Sequence, residues 1–459
     1  MTAAGIDTVH QAAVESFLYE WVTEFDVPGA AVAIVTPDDE TMAAAVGARH
    51  LRSNAPVTPD TLSAVGSVTK SFTATAIMQQ VEAGFIELTD SPAGYTDAAF
   101  DGVEDVTIHE LLSHSSGMPS LAVSEGLIAQ QTDQADPPNP IGDRDDFYRY
   151  LNAAGDELLD ADRFLYCNSG YMLLADIVRE VTGRPFHEVV TADILDPLGM
   201  ERSTMNAGAF EADPDSMTPY RRADGGGRWQ AATMPIRELS RGPGGLFTSV
   251  RELGSYLRMY LNDGVADDGT QILLSDSIEQ MIGAHIETPA GPYGYGWRTV
   301  ELDGNSLVGH GGSVGVSTAY AGWSTELGLG IAVVCNAAPG HGLAVLGEGV
   351  LLTALGEDPN VAHQFFSRYH RQQSLIGRYE SYRGSRTAIV DESGGLLRLT
   401  LDEPLPLAPR SLIFEGETDG GYQYWTVGDR GRIPVDFLVV GDEVELRFDR
   451  WRMDRVGTH

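Results

Sequence analysis

The 459-residue sequence predicts an α/β sandwich built on an antiparallel sheet, followed by a small all-β barrel. Three observations carry this expectation. Apolar runs of strand length stand near the start and again after Tyr293, with helical spacing between them. An Asp303-Gly304 pair separates two of the late runs, and this dipeptide favours a tight hairpin turn. From residue 373 onward the apolar runs are short and regular, with glycine and acidic turns between them and no helical spacing.

The elements read in order as follows. Residues 8–26 carry helical apolar spacing through Val9, Ala12, Ala13, Phe17 and Trp21. The runs Ala30–Val35 and Met42–Val46 flank Thr36-Pro37-Asp38-Asp39-Glu40 and form a hairpin. A long helix opens at Ser67, with Ala74, Ile77, Met78 and Val81 on one face, and closes near Gly84. Residues 121–145, rich in Asp, Pro and Gln, read as a long surface loop. Helices return over 169–182 and 250–262, the second opened by Ser249-Val250-Arg251-Glu252 as a capping box. Arg298–Leu302, Ser306–Gly309, Val314–Trp323 and Gly328–Cys335 are strands, and a helix over about 341–355 closes this half. Short strands follow at 375–382, 385–390, 396–400, 411–415, 422–427, 434–440 and 443–449. The expected domains are 8–355 and 373–459, joined by a linker over 356–372. No internal repeat is apparent.

Composition narrows the function. The chain has 66 acidic and 30 basic residues, a formal charge of -36, and 42% hydrophobic residues, with a pI near 4.4. The acids are spread over the whole length, so they form no disordered tail. Such an excess reads as adaptation to a molar-salt cytoplasm, where screening shortens to about 3 Å. No Lys/Arg stripe is available to neutralise phosphates, so no nucleic-acid partner is expected. The start, Met1-Thr2-Ala3-Ala4-Gly5-Ile6-Asp7, lacks a basic and then apolar leader, and no run of 18 apolar residues occurs. A soluble, cytoplasmic protein with no membrane contact is expected. Cys167 and Cys335 are the two cysteines. They imply no disulfide framework, and no Cys/His spacing suggests a metal site.

One residue stands out. Lys70 is the single lysine, so the other 29 basic residues are arginines. Guanidinium stays protonated, whereas a desolvated ammonium can lose its proton. Lys70 follows Ser67 by three positions, which places both on one helix face. A serine hydroxyl is a poor nucleophile without an adjacent base, and a helix N-terminus favours developing negative charge there. The base is either Lys70, held neutral, or Tyr166, if nearby cations depress its phenol. Each residue also has a bland reading, since most tyrosines pack and an asparagine before a helix is usually a cap. His114, in Leu111-Leu112-Ser113-His114-Ser115-Ser116-Gly117, reads as shaping a loop rather than doing chemistry.

Three segments in order, Ser67-Val68-Thr69-Lys70, Tyr166-Cys167-Asn168 and His310-Gly311-Gly312, resemble the penicillin-recognising serine hydrolases. The branch is that of class C β-lactamases, D-aminopeptidases, DD-carboxypeptidases and related esterases. Thr107–Met118 and Gly242–Ser249 also fit that branch, and the resemblance covers roughly residues 8–355. It implies a β-lactamase/transpeptidase-like fold with a helical subdomain, and an acyl-enzyme on Ser67. It further implies that Lys70 and Tyr166 share the proton transfers, and that Tyr166 assists the leaving group or water. Asn168 would donate to the substrate or fix Lys70, and the backbone N–H groups of Ser67 and Ser313 would form the oxyanion hole. His310, Gly311 and Gly312 would line the substrate. The C-terminal part resembles the lipocalin-like barrel appended to some of these hydrolases; it would cover the active-site mouth or mediate a homo-oligomer. A lipid-carrying barrel is the weaker alternative.

One departure bears on substrate. Many relatives carry Lys-Thr-Gly where this chain has His310, and that lysine grips a substrate carboxylate. A histidine there resembles the D-aminopeptidases, and favours small peptides read at the amino end, or neutral amides and esters. The expectation is therefore a peptidase on short, D-residue-containing peptides or an esterase, without cofactor. A β-lactamase and an inactive binding or scaffold protein are the alternatives. Gly311-Gly312-Ser313-Val314-Gly315 also matches the nucleophile elbow of α/β-hydrolases, but that motif needs a helix next, and Val316–Trp323 reads as a strand.

Overall fold

The structure, a computed structural model, describes residues 8–38, 40–131, 141–159, 163–223, 227–402, 408–429 and 431–457. Helix α1 (Thr8–Glu24) precedes the hairpin of β1 (Gly29–Val35) and β2 (Glu40–His50), and the two-residue β3 (Ala55–Pro56) pairs with β2. Two small ribbons follow, β4 (Ser63–Ala64) with β7 (Phe247–Thr248), and β5 (Tyr220–Arg222) with β6 (Trp229–Ala231). A meander of β8 (Arg298–Leu302), β9 (Asn305–Ser313), β10 (Thr318–Ser324) and β11 (Leu329–Cys335) completes the main sheet. Its order is β3-β2-β1-β11-β10-β9-β8, and every pair is antiparallel. The expected α/β sandwich is therefore present.

The sheet joins the two ends of this half through β1 and β11, with Ala30 opposite Cys335 and Val35 opposite Gly330. Both strands are buried along their whole length. That is why they read as continuous apolar runs rather than as an alternation, since helices cover both faces. Ala332 and Val334 share a core with Leu253 and Leu257 of the Val250–Leu261 helix. On the opposite side Val333 lies beneath Gly347, in the Ala344–Ala354 helix. The β8–β9 turn has Asp303 at φ 49° and Gly304 at φ 76°, the left-handed pair that a two-residue hairpin requires.

Between these strands lies a helical region containing α2 (Thr69–Glu82), α3 (Ile108–Ser113), α4 (Val123–Gln131), α5 (Arg144–Asn152) and α6 (Asn168–Thr182). Here two expectations fail. The segment 121–145 is not simply a loop: Val123 and Leu127, four apart, bury one face of α4 in the core, and residues 132–140 lie outside the described residues. The capping box at Ser249 is half made. Ser249 Oγ accepts from the Glu252 N–H at 3.2 Å, but the Glu252 carboxylate instead accepts from the Arg202 N–H and the Ser203 hydroxyl. The complete box is at Thr107, whose side chain and Glu110 exchange hydrogen bonds at the start of α3.

The chain divides into two units, Met1–Glu357 and Asp358–His459. In the second unit, Pro359–Ala362 and Gln364–Leu375 are helices where the sequence suggested an open connector. Then come β12 (Gly377–Glu380), β13 (Thr387–Ser393), β14 (Leu396–Leu401), β15 (Arg410–Thr418), β16 (Gly421–Gly428), β17 (Gly431–Val440), β18 (Glu443–Phe448) and β19 (Trp451–Gly457). They form a closed barrel, as expected, in which β19 pairs back onto β12. This eighth strand was missed by the sequence reading. Inside lie Tyr379, Leu397, Leu399, Tyr424, Phe437, Leu446 and Met453. Among the described residues no helix is long and apolar enough to cross a membrane.

Candidate active site

Ser67 sits in a 3-10 turn, Gly66–Val68, that runs directly into α2. Gly66 has φ +50°, and a Cβ there would lie 2.7 Å from Ser313 N. On the facing strand, a Cβ on Gly312 would lie 1.9 Å from Val65 O and 3.0 Å from Ser67 N. Two glycines thus let the end of β9 approach the nucleophile turn backbone to backbone. This brings the Ser67 and Ser313 segments together at one place.

Lys70 follows one turn later and is fully buried. Its ammonium donates to Ser67 Oγ at 3.1 Å, to Asn168 Oδ1 at 2.8 Å and to the Pro243 carbonyl at 2.8 Å. Three donors meet three acceptors. Desolvation nevertheless dominates and brings its pKa from 10.5 down to about 7, against the opposing pull of Glu125 and Cys167.

Tyr166 lies over this group, its ring centroid 4.7 Å from Nζ. One face of the residue is open, with 39% exposed, but its phenol is desolvated, which pushes its pKa up. The hydrogen bond to Ser67 and the charge of Arg298 oppose this shift without reversing it. A depressed Tyr166 phenol is therefore not favoured: the charge of Arg298 pulls that way, and burial outweighs it. Asn168 begins α6, and its Nδ2 donates to Glu125 Oε1 on α4 at 3.1 Å.

His310 is buried on β9. Its Nδ1 lies 2.6 Å from the Gly311 carbonyl, and its Nε2 lies 3.0 Å from the Tyr293 hydroxyl. The carbonyl can only accept, so Nδ1 carries the proton and Nε2 accepts from Tyr293. Burial, and then the charge of Lys70, bring its pKa down to about 3. His310 is a neutral group at pH 7. Ser67, Lys70, Tyr166, Asn168, His310, Gly311, Gly312 and Ser313 all converge on one region.

Ser67 stands where two cavities meet. The larger, about 830 Å³, includes Phe164, Tyr166, Arg298, His310, Tyr320 and Leu343 in its wall. The smaller, about 230 Å³, includes Glu125, Ile128, Asn168, Pro235 and Ile236. Arg298 forms no ion pair among the described residues, and its guanidinium lies 5.7 Å from the ring centroids of both Phe164 and Tyr293. Glu125, Arg298, Tyr293 and Pro243 are site residues that sequence reasoning missed. Pro243 lies within the Gly242–Ser249 segment but was given no role there; the other three belong to no motif, and Glu125 lies in the stretch read as a loop. Among the described residues, no cluster of His, Cys, Asp or Glu is arranged to hold a metal ion.

Comparison with known proteins matches two family profiles. One, described as Beta-lactamase, spans residues 15–354. The other, described as the Pab87 octamerisation domain, spans residues 359–454. Penicillin-binding protein 4 of Amycolatopsis lactamdurans is 30% identical over 325 residues, which cover 65% of this chain and 78% of that protein. The D-aminopeptidase of Brucella anthropi is 27% identical over 319 residues, 69% of this chain but only 56% of its own length. Among solved structures, the octameric penicillin-binding protein homologue from Pyrococcus abyssi superposes with a TM-score of 0.89 at 30% identity, covering 97% of this chain and all of that one. The D-amino acid amidase from Ochrobactrum anthropi SV3, at 20% identity and TM-score 0.62 over 76% of this chain and 99% of that one, shares the fold.

Proposed function

The chain belongs to the Beta-lactamase family, and from that premise we propose that it is a serine hydrolase forming an acyl-enzyme on Ser67 from short peptides read at their amino end, or from related amides and esters. The observation that carries this reading is Lys70: a buried amine 3.1 Å from Ser67 Oγ with its pKa brought to about 7. An amine so poised can take a proton at neutral pH.

In the proposed sequence, neutral Lys70 accepts the Ser67 proton as Oγ bonds to the substrate carbonyl carbon. The N–H groups of Ser67 and Ser313 hold the resulting oxyanion. Tyr166, a protonated phenol, gives its proton to the leaving nitrogen or oxygen as that bond breaks, and regains one from the Lys70 ammonium. Water then attacks the ester, its proton passing to Lys70, and Ser67 leaves with a proton returned to Oγ.

The walls on either side suggest the substrate. Glu125, next to Asn168, offers a carboxylate to a free amino group on the acyl side. His310 is neutral and cannot replace a carboxylate-binding lysine. The D-aminopeptidase among the similar proteins supports D-residues on the acyl side. A second reading, hydrolysis of β-lactams or carboxylate-ended substrates, is favoured by Arg298, a cation in the larger cavity with no ion-pair partner among the described residues. Both readings retain the full Ser67, Lys70 and Tyr166 set, which argues against an inactive scaffold. The C-terminal unit is proposed to join copies of the chain, on the strength of its profile and of the octameric Pyrococcus homologue.

The test is kcat/KM on D-aminoacyl p-nitroanilides, their N-acetylated forms, p-nitrophenyl esters and a penicillin. Free amines should exceed N-acetyl forms by roughly tenfold or more, the scale of one desolvated charge contact. Fastest turnover on the penicillin would replace this reading with the second.

A further inference from the structure

We propose that His114 is a positioning residue that holds Tyr166 and Asn168 against Ser67. It rests on the acyl-enzyme reading above. His114 ends α3 at φ 60°, a left-handed backbone that non-glycine residues seldom adopt. From there it grips the site segment twice. Its carbonyl accepts the Leu165 N–H at 2.8 Å, and its ring Nδ1 accepts the Cys167 N–H at 3.1 Å. The two contacts bracket Tyr166, whose ring centroid lies 4.3 Å from that of His114.

The ring has no other polar work. Because Nδ1 accepts, the proton is on Nε2, and that atom is buried without a hydrogen-bond partner among the described residues. Around the ring stand Tyr171, Tyr293 and Phe164, with centroids 5.0, 5.1 and 5.8 Å from its own. A buried unpaired donor costs about 1–3 kcal/mol, so a phenylalanine would suit this aromatic cage better if packing were all that mattered. Burial first, and then the charges of Lys70 and Arg298, keep the ring neutral, which preserves the lone pair for Cys167. Tyr166 itself is 39% exposed, so core packing encloses only part of it. The hold comes from behind, and it continues through Cys167 to Asn168 and its contact with Lys70.

The test compares three variants of the full chain on a p-nitrophenyl ester. His114→Phe keeps the ring but loses the acceptor. His114→Gly suits the left-handed backbone and also loses the acceptor, so it keeps the question open if phenylalanine is not accommodated. His114→Asn keeps an acceptor near the Nδ1 position and tolerates positive φ. Variants without the acceptor should lose about 10²-fold in kcat, the scale of a 1 Å misplacement, with KM within about threefold, and asparagine should recover most of that loss. A folded Phe or Gly variant within about threefold of wild-type kcat would overturn the proposal, as would equal losses in all three or a change confined to KM. Failure of the underlying reading looks different: wild-type turnover would then survive Ser67→Ala.

Discussion

At the scale of residues, Lys70 decides the chemistry. If its role were only positive charge, Lys70→Arg would keep most activity, since arginine serves at every other basic position. An arginine cannot release its proton, and loss of general-base help costs about 10²–10⁴-fold. Lys70→Arg should therefore fold and be nearly as inactive as Ser67→Ala in acylation by a chromogenic ester; activity within about threefold of wild type would refute proton transfer. The same proton sets the acid limb of the pH profile. As pH falls through about 7, Lys70 gains its proton and kcat/KM should drop. Glu125 favours the ammonium, so Glu125→Gln should move that limb to lower pH; an upward move would contradict the assigned electrostatics. The lone lysine, the Tyr166-Cys167-Asn168 segment and His310 were legible because each has a fixed place in a motif. Glu125 and Arg298 were not, because one acid among 66 and one arginine among 29 carry no pattern until the fold brings them to Ser67.

At the scale of elements, the site depends on how closely β9 approaches the turn before α2. Gly312→Ala would set a Cβ 1.9 Å from Val65 O, while at Gly311 the nearest atom to a Cβ is 3.9 Å away. Gly312→Ala should cost about 1–3 kcal/mol of stability, as overpacking does, and about 10²-fold in kcat through the displaced oxyanion donors. Gly311→Ala should unfold within a few degrees of wild type. Thermal melts of both variants check the contrast, and equal melting temperatures would show that the strand yields. The hairpins were readable because turn residues punctuate them, as Asp303-Gly304 does. Helix α4 was not, because Asp, Pro and Gln dominate the window around it and only Val123 and Leu127 mark its buried face. Strand β19 escaped because Trp451-Arg452-Met453-Asp454-Arg455 alternates too weakly to stand out. It is held by its partners β18 and β12.

At the scale of the molecule, a charge of -36 should make folding depend on salt. Carboxylate repulsion acts over a screening length of about 10 Å at 0.1 M and about 3 Å at 1 M. The melting temperature should rise steadily from 0.1 M to molar KCl on that scale; a flat response would remove the halophilic reading. Assembly belongs to the same scale. A chain truncated after Glu357 should keep Ser67-dependent ester hydrolysis yet lose the oligomer of the full chain, and light scattering on both reads this directly. Retention of the full-length assembly mass would move the interface to the first unit. The closed ring from β12 to β19 also limits what kind of assembly can form. With β19 paired to β12, the barrel has, among the described residues, no terminal strand whose backbone amides and carbonyls await a neighbour, so it offers no template for cross-β growth. Copies meeting through this unit must recognise one another by side-chain shape and charge, and a contact of that kind can be dissolved and re-formed by changing the ions around it.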